Sequence, residues 1–175
     1  MSLVLTIRNF PTELSLDDIA TLSEESKGCM ESWSANWQYS FRDPSNNRIL
    51  CFFAAPDAES VRIGIRQAGW TGEAIVKSMT VTKARHDLDA NVIVERHFDE
   101  AVEFDNLQNT ENQHAWCLAQ HQVIFIESYF SLDRKTMICL YHAPDAESVR
   151  TAQRQATMPF DRVWACQKLD QSALS

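Results

Sequence analysis

Ala55-Pro56-Asp57-Ala58-Glu59-Ser60-Val61-Arg62 returns unchanged as Ala143-Pro144-Asp145-Ala146-Glu147-Ser148-Val149-Arg150, 88 residues further along a chain of 175. Sliding residues 3–82 over 91–170 without a gap gives 18 identities in 80 positions. They include Arg8 with Arg96, Phe10 with Phe98, Cys29 with Cys117, Cys51 with Cys139 and Arg66-Gln67-Ala68 with Arg154-Gln155-Ala156. A long period present only twice means two copies of one small domain, not a solenoid. We place an N-terminal repeat at 1–82, a linker at 83–90, a C-terminal repeat at 91–170 and a tail at 171–175.

Each copy reads as β-α-β-β-α-β. In the second, Asn91–Phe98, Gln122–Phe130, Thr136–His142 and Arg162–Leu169 are β-rich, and Ser131 to Lys135 is a hairpin turn. Glu103 to Gln120 reads as one long polar helix and Asp145 to Ala156 as the second helix. The first copy repeats the order with strands Leu3–Phe10, Ala35–Arg42, Arg48–Ala54 and Ala74–Thr82. Ser15 followed by Asp18 is a capping signature for its first helix. Pro56-Asp57 and Pro144-Asp145 open the second helices, where proline lacks no needed donor and aspartate caps free amides. This order predicts an α+β fold: two ferredoxin-like units, each a four-stranded antiparallel sheet with both helices on one face. The open faces then pack together as an intrachain dimeric α+β barrel, a pseudo-dimer within one chain.

Composition narrows the function. A net charge of −8 with 16 basic residues argues against a nucleic-acid footprint. No apolar run reaches the length of a membrane span and no leader precedes the first strand, so the expected location is cytoplasmic. Five cysteines, none in a CxxC pair, suit free thiols in a reducing compartment. Glycine-rich phosphate loops, HExxH and GxSxG are absent, so no nucleotide cofactor is expected.

Strand alternation sorts the second copy into two faces. Val92, Val94, Ile124, Ile126, Ile138, Leu140 and Val163 are expected under the helices. Ile93, Glu95, His97, Phe125, Glu127, Tyr129, Cys139, Tyr141, Trp164 and Cys166 are expected on the open face. An aromatic surface with a few convergent polar groups has the character of a ligand pocket, with Tyr129, Tyr141 and Trp164 as its walls. In the first copy Glu95 is matched by Ile7, His97 by Asn9, Glu127 by Tyr39, Tyr141 by Phe53 and His142 by Ala54. The C-terminal copy is therefore the expected carrier of the site. Glu95 and His97 lie two residues apart on one side of a strand, within about 7 Å, a spacing that suits a shared divalent metal. Glu127 or Cys139 could complete the set, and His142 is a further imidazole at the strand end. The alternative is that Glu95 only orients His97 at a wet edge, and that His142 caps or packs.

The second copy also resembles a family of small bacterial ferredoxin-like proteins labelled nickel-binding or of unknown function. The resemblance rests on Val94-Glu95-Arg96-His97, on Cys139-Leu140-Tyr141-His142 running into Ala143 to Arg150, on Ser128-Tyr129 and on Pro159 to Val163. It implies a dimeric barrel and a metal site that uses His97, and nickel as the metal comes wholly from it. The expected function is thus a non-catalytic cytosolic protein binding a metal ion or a small molecule, with room for a homo-oligomer. The alternatives are a small monooxygenase of the dimeric α+β-barrel type and an interaction module without a ligand.

Overall fold

The computed structural model describes residues 1–44, 47–70, 74–83 and 87–175. It divides into two compact units, residues 1–79 with 167–175, and residues 80–166. Residues 84–86 of the expected linker, His86 among them, lie outside the described residues.

The first unit holds β1 (Ser2–Asn9), α1 (Leu16–Ser32), β2 (Asn36–Arg42), β3 (Arg48–Ala55), α2 (Ala58–Gln67) and the start of β4 (Ala74–Lys83). Ser15 and Asp18 form the capping box that the sequence predicts. The Asp57 carboxylate accepts the Ser60 amide N–H at 2.8 Å at the head of α2. The bonds Asp57 makes with Ser60 hold its carboxyl below the usual range.

The second unit repeats the order with β5 (Val92–His97), α3 (Phe104–Gln113), α4 (Ala115–Gln120), β6 (Ile124–Ser131), β7 (Thr136–His142), α5 (Ala146–Gln155) and β8 (Arg162–Ala165). Both units carry the same irregularity: the β2–β3 register shifts between Trp37 and Tyr39, and the β6–β7 register between Phe125 and Glu127. These positions coincide in the gapless alignment, so the duplication extends to a bulge. Gln67 and Gln155 gain a reason as well. Gln67 accepts from the Trp33 indole at 2.8 Å, and Gln155 lies 2.9 Å from the imidazole of His121, the residue aligned with Trp33. Each glutamine ties the end of the first helix to the second.

Three local expectations are corrected. The single helix over 103–120 is two, broken at His114, whose φ and ψ of −113° and 20° leave the helical region. Its ring Nδ1 lies 2.9 Å from the Thr110 carbonyl, so side chain and backbone compete at that turn. The last strand over 162–169 is also two. Cys166 leaves the ladder to donate its N–H to Asn91, and β9 (Gln167–Leu169) pairs with β2 in the first unit. The first unit's sheet therefore runs β4-β1-β3-β2-β9 and the second's β8-β5-β7-β6-β4, with β4 crossing from one unit into the other. Among the described residues no helix is long and apolar enough to cross a membrane.

The third correction concerns faces. Val92 pairs with Tyr141 and Val94 with Cys139 across β5 and β7, so all four side chains share the helix side. Ile138 and Leu140 pair with Glu95 and Ile93 and take the other face. The bulge does the same for β6, leaving Phe125 beneath the helices beside Tyr141, with ring centroids 5.6 Å apart. The phase chosen for β5 and β8 is right and that for β7 is inverted. Both faces of β7 are apolar and buried, so alternation could not choose between them.

Helix α1 approaches α2 at Gly64. A methyl placed there would lie 2.7 Å from Met30 Sδ and 3.4 Å from Met30 Cα. The aligned pair in the second unit is Ala152 with Leu118. Gly64→Ala should therefore destabilise the protein by about 1 kcal/mol despite alanine's better helix propensity. Adding Met30→Leu should recover most of that loss, measured by urea denaturation.

Candidate functional site

A cavity of about 750 Å³ lies within the first unit. Helix α1 faces it with Ile19, Leu22, Ser23 and Met30, and the sheet with Arg8, Ser40, Cys51 and Phe53. Trp37 and Trp70 add aromatic surface, and the C-terminal residues Gln171, Ser172, Leu174 and Ser175 line it too. The stretch expected to be a tail thus belongs to the cavity. It is placed there by β9, whose Leu169 pairs with Ser40, and by the turn in which Asp170 accepts the Ser172 and Ala173 N–H groups.

Arg8 projects from β1 on the helix side and is only 2% exposed. Its guanidinium carbon lies 4.0 Å from the Trp70 ring centroid and 5.0 Å from that of Phe10. Gly69, at φ 68°, provides the left-handed turn after α2 that sets Trp70 back over the sheet. Burial pulls the Arg8 guanidinium down to about 10, the nearby Cys51 opposing it. Arg8 therefore stays a cation at neutral pH. Burial pushes the Cys51 thiol up, so it stays neutral. Among the described lining residues there is no histidine, and Glu24, Lys27 and Glu31 are exposed.

The same arginine position in the second unit has another environment. Arg96, 1% exposed, donates to the Pro159 carbonyl at 2.6 Å, to Gln153 Oε1 at 2.7 Å and to the Tyr141 hydroxyl at 3.3 Å. Gln153 donates to the same hydroxyl at 3.3 Å. Burial alone would lower the Arg96 guanidinium, but Cys139 and Tyr141 beside it raise it, and the net direction is upward. In the first copy Tyr141 is replaced by Phe53 and Gln153 by Ile65, neither of which has an acceptor.

The residues singled out from sequence are dispersed. Glu95, 1% exposed, accepts the Trp164 indole N–H at 2.7 Å on the face opposite the helices. Glu127 accepts from the Tyr129 hydroxyl. Cys139 and Tyr141 lie on the other face with Arg96. His142 places Nδ1 2.8 Å from the Asp89 carbonyl. His97 ends β5 with an exposed ring, Nδ1 lying 3.3 Å from Asp161 Oδ2. Among the described residues no group of three or more His, Cys, Asp or Glu side chains converges as metal ligands would. Sequence reasoning noted Arg8 only as a repeat identity and missed the cavity. The signal available was the exchange of Tyr141 and Gln153 for Phe53 and Ile65 around an arginine kept in both copies.

Comparison with known proteins agrees with the duplicated frame. The model of the family described as nickel responsive protein SCO4226-like matches residues 5–77 and again 93–165. The chain belongs to the SCO4226-like family. No curated protein matches it. Among solved structures, a mutant chlorite dismutase from Candidatus Nitrospira defluvii in complex with cyanide superposes with a TM-score of 0.57 at 13% identity. That match covers 98% of this chain and 93% of the other. A heme-binding protein from Thermus thermophilus gives 0.51 at 9% identity, covering 99% and 93%. At these identities the likeness establishes the fold alone. It is the fold class of the dimeric α+β barrel proteins, here with two repeated units in one chain.

Proposed function

We propose that this SCO4226-like protein is a cytosolic, non-catalytic binder of a small organic molecule, and that the ligand lies in the cavity of the N-terminal unit. The cavity carries this assignment: about 750 Å³ falls within the range of about 300–1,000 Å³ typical of small-molecule sites. Aromatic and aliphatic side chains supply its surface, with a few polar groups among them. Its thiol is neutral, its described lining holds no imidazole, and its carboxylates Glu24 and Glu31 are exposed, so the buried lining has groups that hold a molecule and none suited to act as a base at neutral pH. The five free thiols suit a reducing compartment.

Heme, which a structural neighbour binds, does not fit this lining: the described lining residues offer no imidazole to iron, the one thiol is held protonated, and the remaining sulfur, Met30 Sδ, sits against Gly64. The family description makes nickel the metal to test. His97 and Asp161 are an exposed imidazole–carboxylate pair, two donors where a closed nickel sphere needs four or more. Glu95, Glu127 and Cys139 are engaged elsewhere. Nickel at His97, completed by solvent or a second molecule, is the second reading, supported by the family description and that pair.

The test uses the neutral dye N-phenyl-1-naphthylamine and the variant Ala20→Trp, which fills the cavity from α1. One dye per chain should bind the wild type, and Ala20→Trp should weaken binding by about tenfold or more. Undiminished binding in Ala20→Trp would remove the cavity as the site. A nickel-induced rise in melting temperature that His97→Ala abolishes would instead favour the second reading.

A further inference from the structure

We propose that the N-terminal cavity takes aromatic molecules that carry a carbonyl oxygen, the rings lying against Trp37 and Phe53 and the oxygen accepting a hydrogen bond from the Ser40 hydroxyl. This rests on the assignment of a small molecule to that cavity.

The bulge in β2 builds the floor of the site. Trp37 and Ser40 are three residues apart, a spacing that sends side chains of a regular strand to opposite faces. The register shift between Trp37 and Tyr39 takes up one residue and returns both to the same side. Both line the cavity, and the Trp37 indole donates to Ser40 Oγ at 2.8 Å. Across the ladder Trp37 pairs with Phe53 and Ser40 with Cys51, and all four side chains line the cavity. An aromatic pair thus lies beside a hydroxyl–thiol pair on one surface.

A serine hydroxyl has one proton to give and two lone pairs. The indole N–H occupies one lone pair of Ser40, and the Ser40 proton goes to the Cys51 sulfur on the paired strand. Sulfur is a weak acceptor, so a carbonyl oxygen entering beside it takes that proton in its place. Burial keeps the Cys51 thiol neutral, and a neutral thiol does not repel the oxygen. Ser40 is 4% and Cys51 8% exposed, so the bond forms away from water, and the indole's own donation polarises the hydroxyl that gives it. Leu169, which pairs with Ser40 from β9, brings an aliphatic side chain and no competing acceptor of its own.

The duplicate shows the same frame without the donor. The bulge recurs in β6, but Phe125 stands where the first copy has Trp37, so no indole N–H is present. Ser128, aligned with Ser40, shares a hydroxyl–hydroxyl bond with Thr82 inside the second unit. One copy closes its serine with protein; the other sets it on the wall of a cavity.

The experiment uses two neutral dyes on the full chain. One is 6-propionyl-2-(dimethylamino)naphthalene, which carries a carbonyl; the other is N-phenyl-1-naphthylamine, which does not. Wild type should bind one of either dye per chain, and Ala20→Trp should weaken both. The infrared C=O stretch of the bound carbonyl dye should lie below its position in cyclohexane. Ser40→Ala should weaken the carbonyl dye by about fivefold, raise that stretch and leave N-phenyl-1-naphthylamine binding unchanged. Ser40→Cys, whose thiol is a poor donor but still gives the indole a partner, should reproduce both changes and serves as the test should Ser40→Ala fail to fold. A stretch that is not lowered in the wild type, or one that stays lowered in both variants, overturns the role of Ser40. If N-phenyl-1-naphthylamine still binds there and Ala20→Trp still weakens it, the cavity stands as a site without that selectivity. Binding of neither dye overturns the cavity assignment and the proposal with it.

Discussion

Arg96→Met is expected to destabilise the protein by about 4 kcal/mol, among the largest effects of any single substitution in the chain. Methionine removes three hydrogen bonds given by a charged donor, each worth about 1.5–3 kcal/mol, and leaves the Pro159 carbonyl, the Gln153 amide and the Tyr141 hydroxyl short of a partner. These groups sit beneath α5, where water cannot replace the lost donor without opening the core. Tyr141→Phe should cost less, about 1–2 kcal/mol, because Arg96 keeps its two shorter bonds. Arg8→Met is the natural control. At that site burial lowers the guanidinium to about 10, which corresponds to an unfavourable charge term of about 3 kcal/mol in the folded state. The folded state holds that proton less tightly than the unfolded chain, so the cost persists through neutral pH and is relieved only as pH climbs above about 10. Methionine escapes it, which offsets part of what is lost with the guanidinium's own contacts, and Arg8→Met should therefore be milder than Arg96→Met in urea unfolding. Equal losses at the two positions would refute the contrast between the copies.

That contrast also explains how far the sequence could be read. The octapeptide repeat and the alternating strands yield both ferredoxin-like units, and the Asp57 and Asp145 caps follow from residue type and position alone. Local chemistry governs those features. The inverted face of β7 shows where locality ends: Met137, Cys139 and Tyr141 are as buried as Ile138 and Leu140, so only the pairing of Val94 with Cys139 reveals which set lies under the helices. That single phase put Cys139 and Tyr141 beside Glu95 on paper, when they stand with Arg96. The division of the final strand at Cys166 was equally hidden, since β9 is held by pairing with β2, far away in sequence. The site was sought where ionisable residues were densest. Yet in the second copy Arg96, Gln153 and Tyr141 hydrogen-bond to one another, and the cavity described above lies in the blander first copy. Space arises from what neighbouring side chains leave unfilled, and composition along a strand does not report it.

Trp164→Phe should cost about 2–3 kcal/mol, and the reason decides what Glu95 does. The substitution preserves most of the ring's packing but deletes the N–H that Glu95 Oε2 accepts at 2.7 Å, with both residues buried. A bond to a charged acceptor is worth more than a neutral one, and a buried carboxylate deprived of that donor also bears a desolvation cost. Glu95→Gln should reduce the penalty of Trp164→Phe, because a neutral amide needs less compensation, giving a measurable coupling in a double-mutant cycle. If Glu95 instead served chiefly as a metal ligand beside His97, Trp164→Phe would leave urea unfolding nearly unchanged and weaken the nickel response. A clear loss of stability with the nickel response intact assigns Glu95 to the architecture of the second unit. His97 and Asp161 then remain, among the described residues of that unit, as the exposed imidazole–carboxylate pair at which to test for a metal contact.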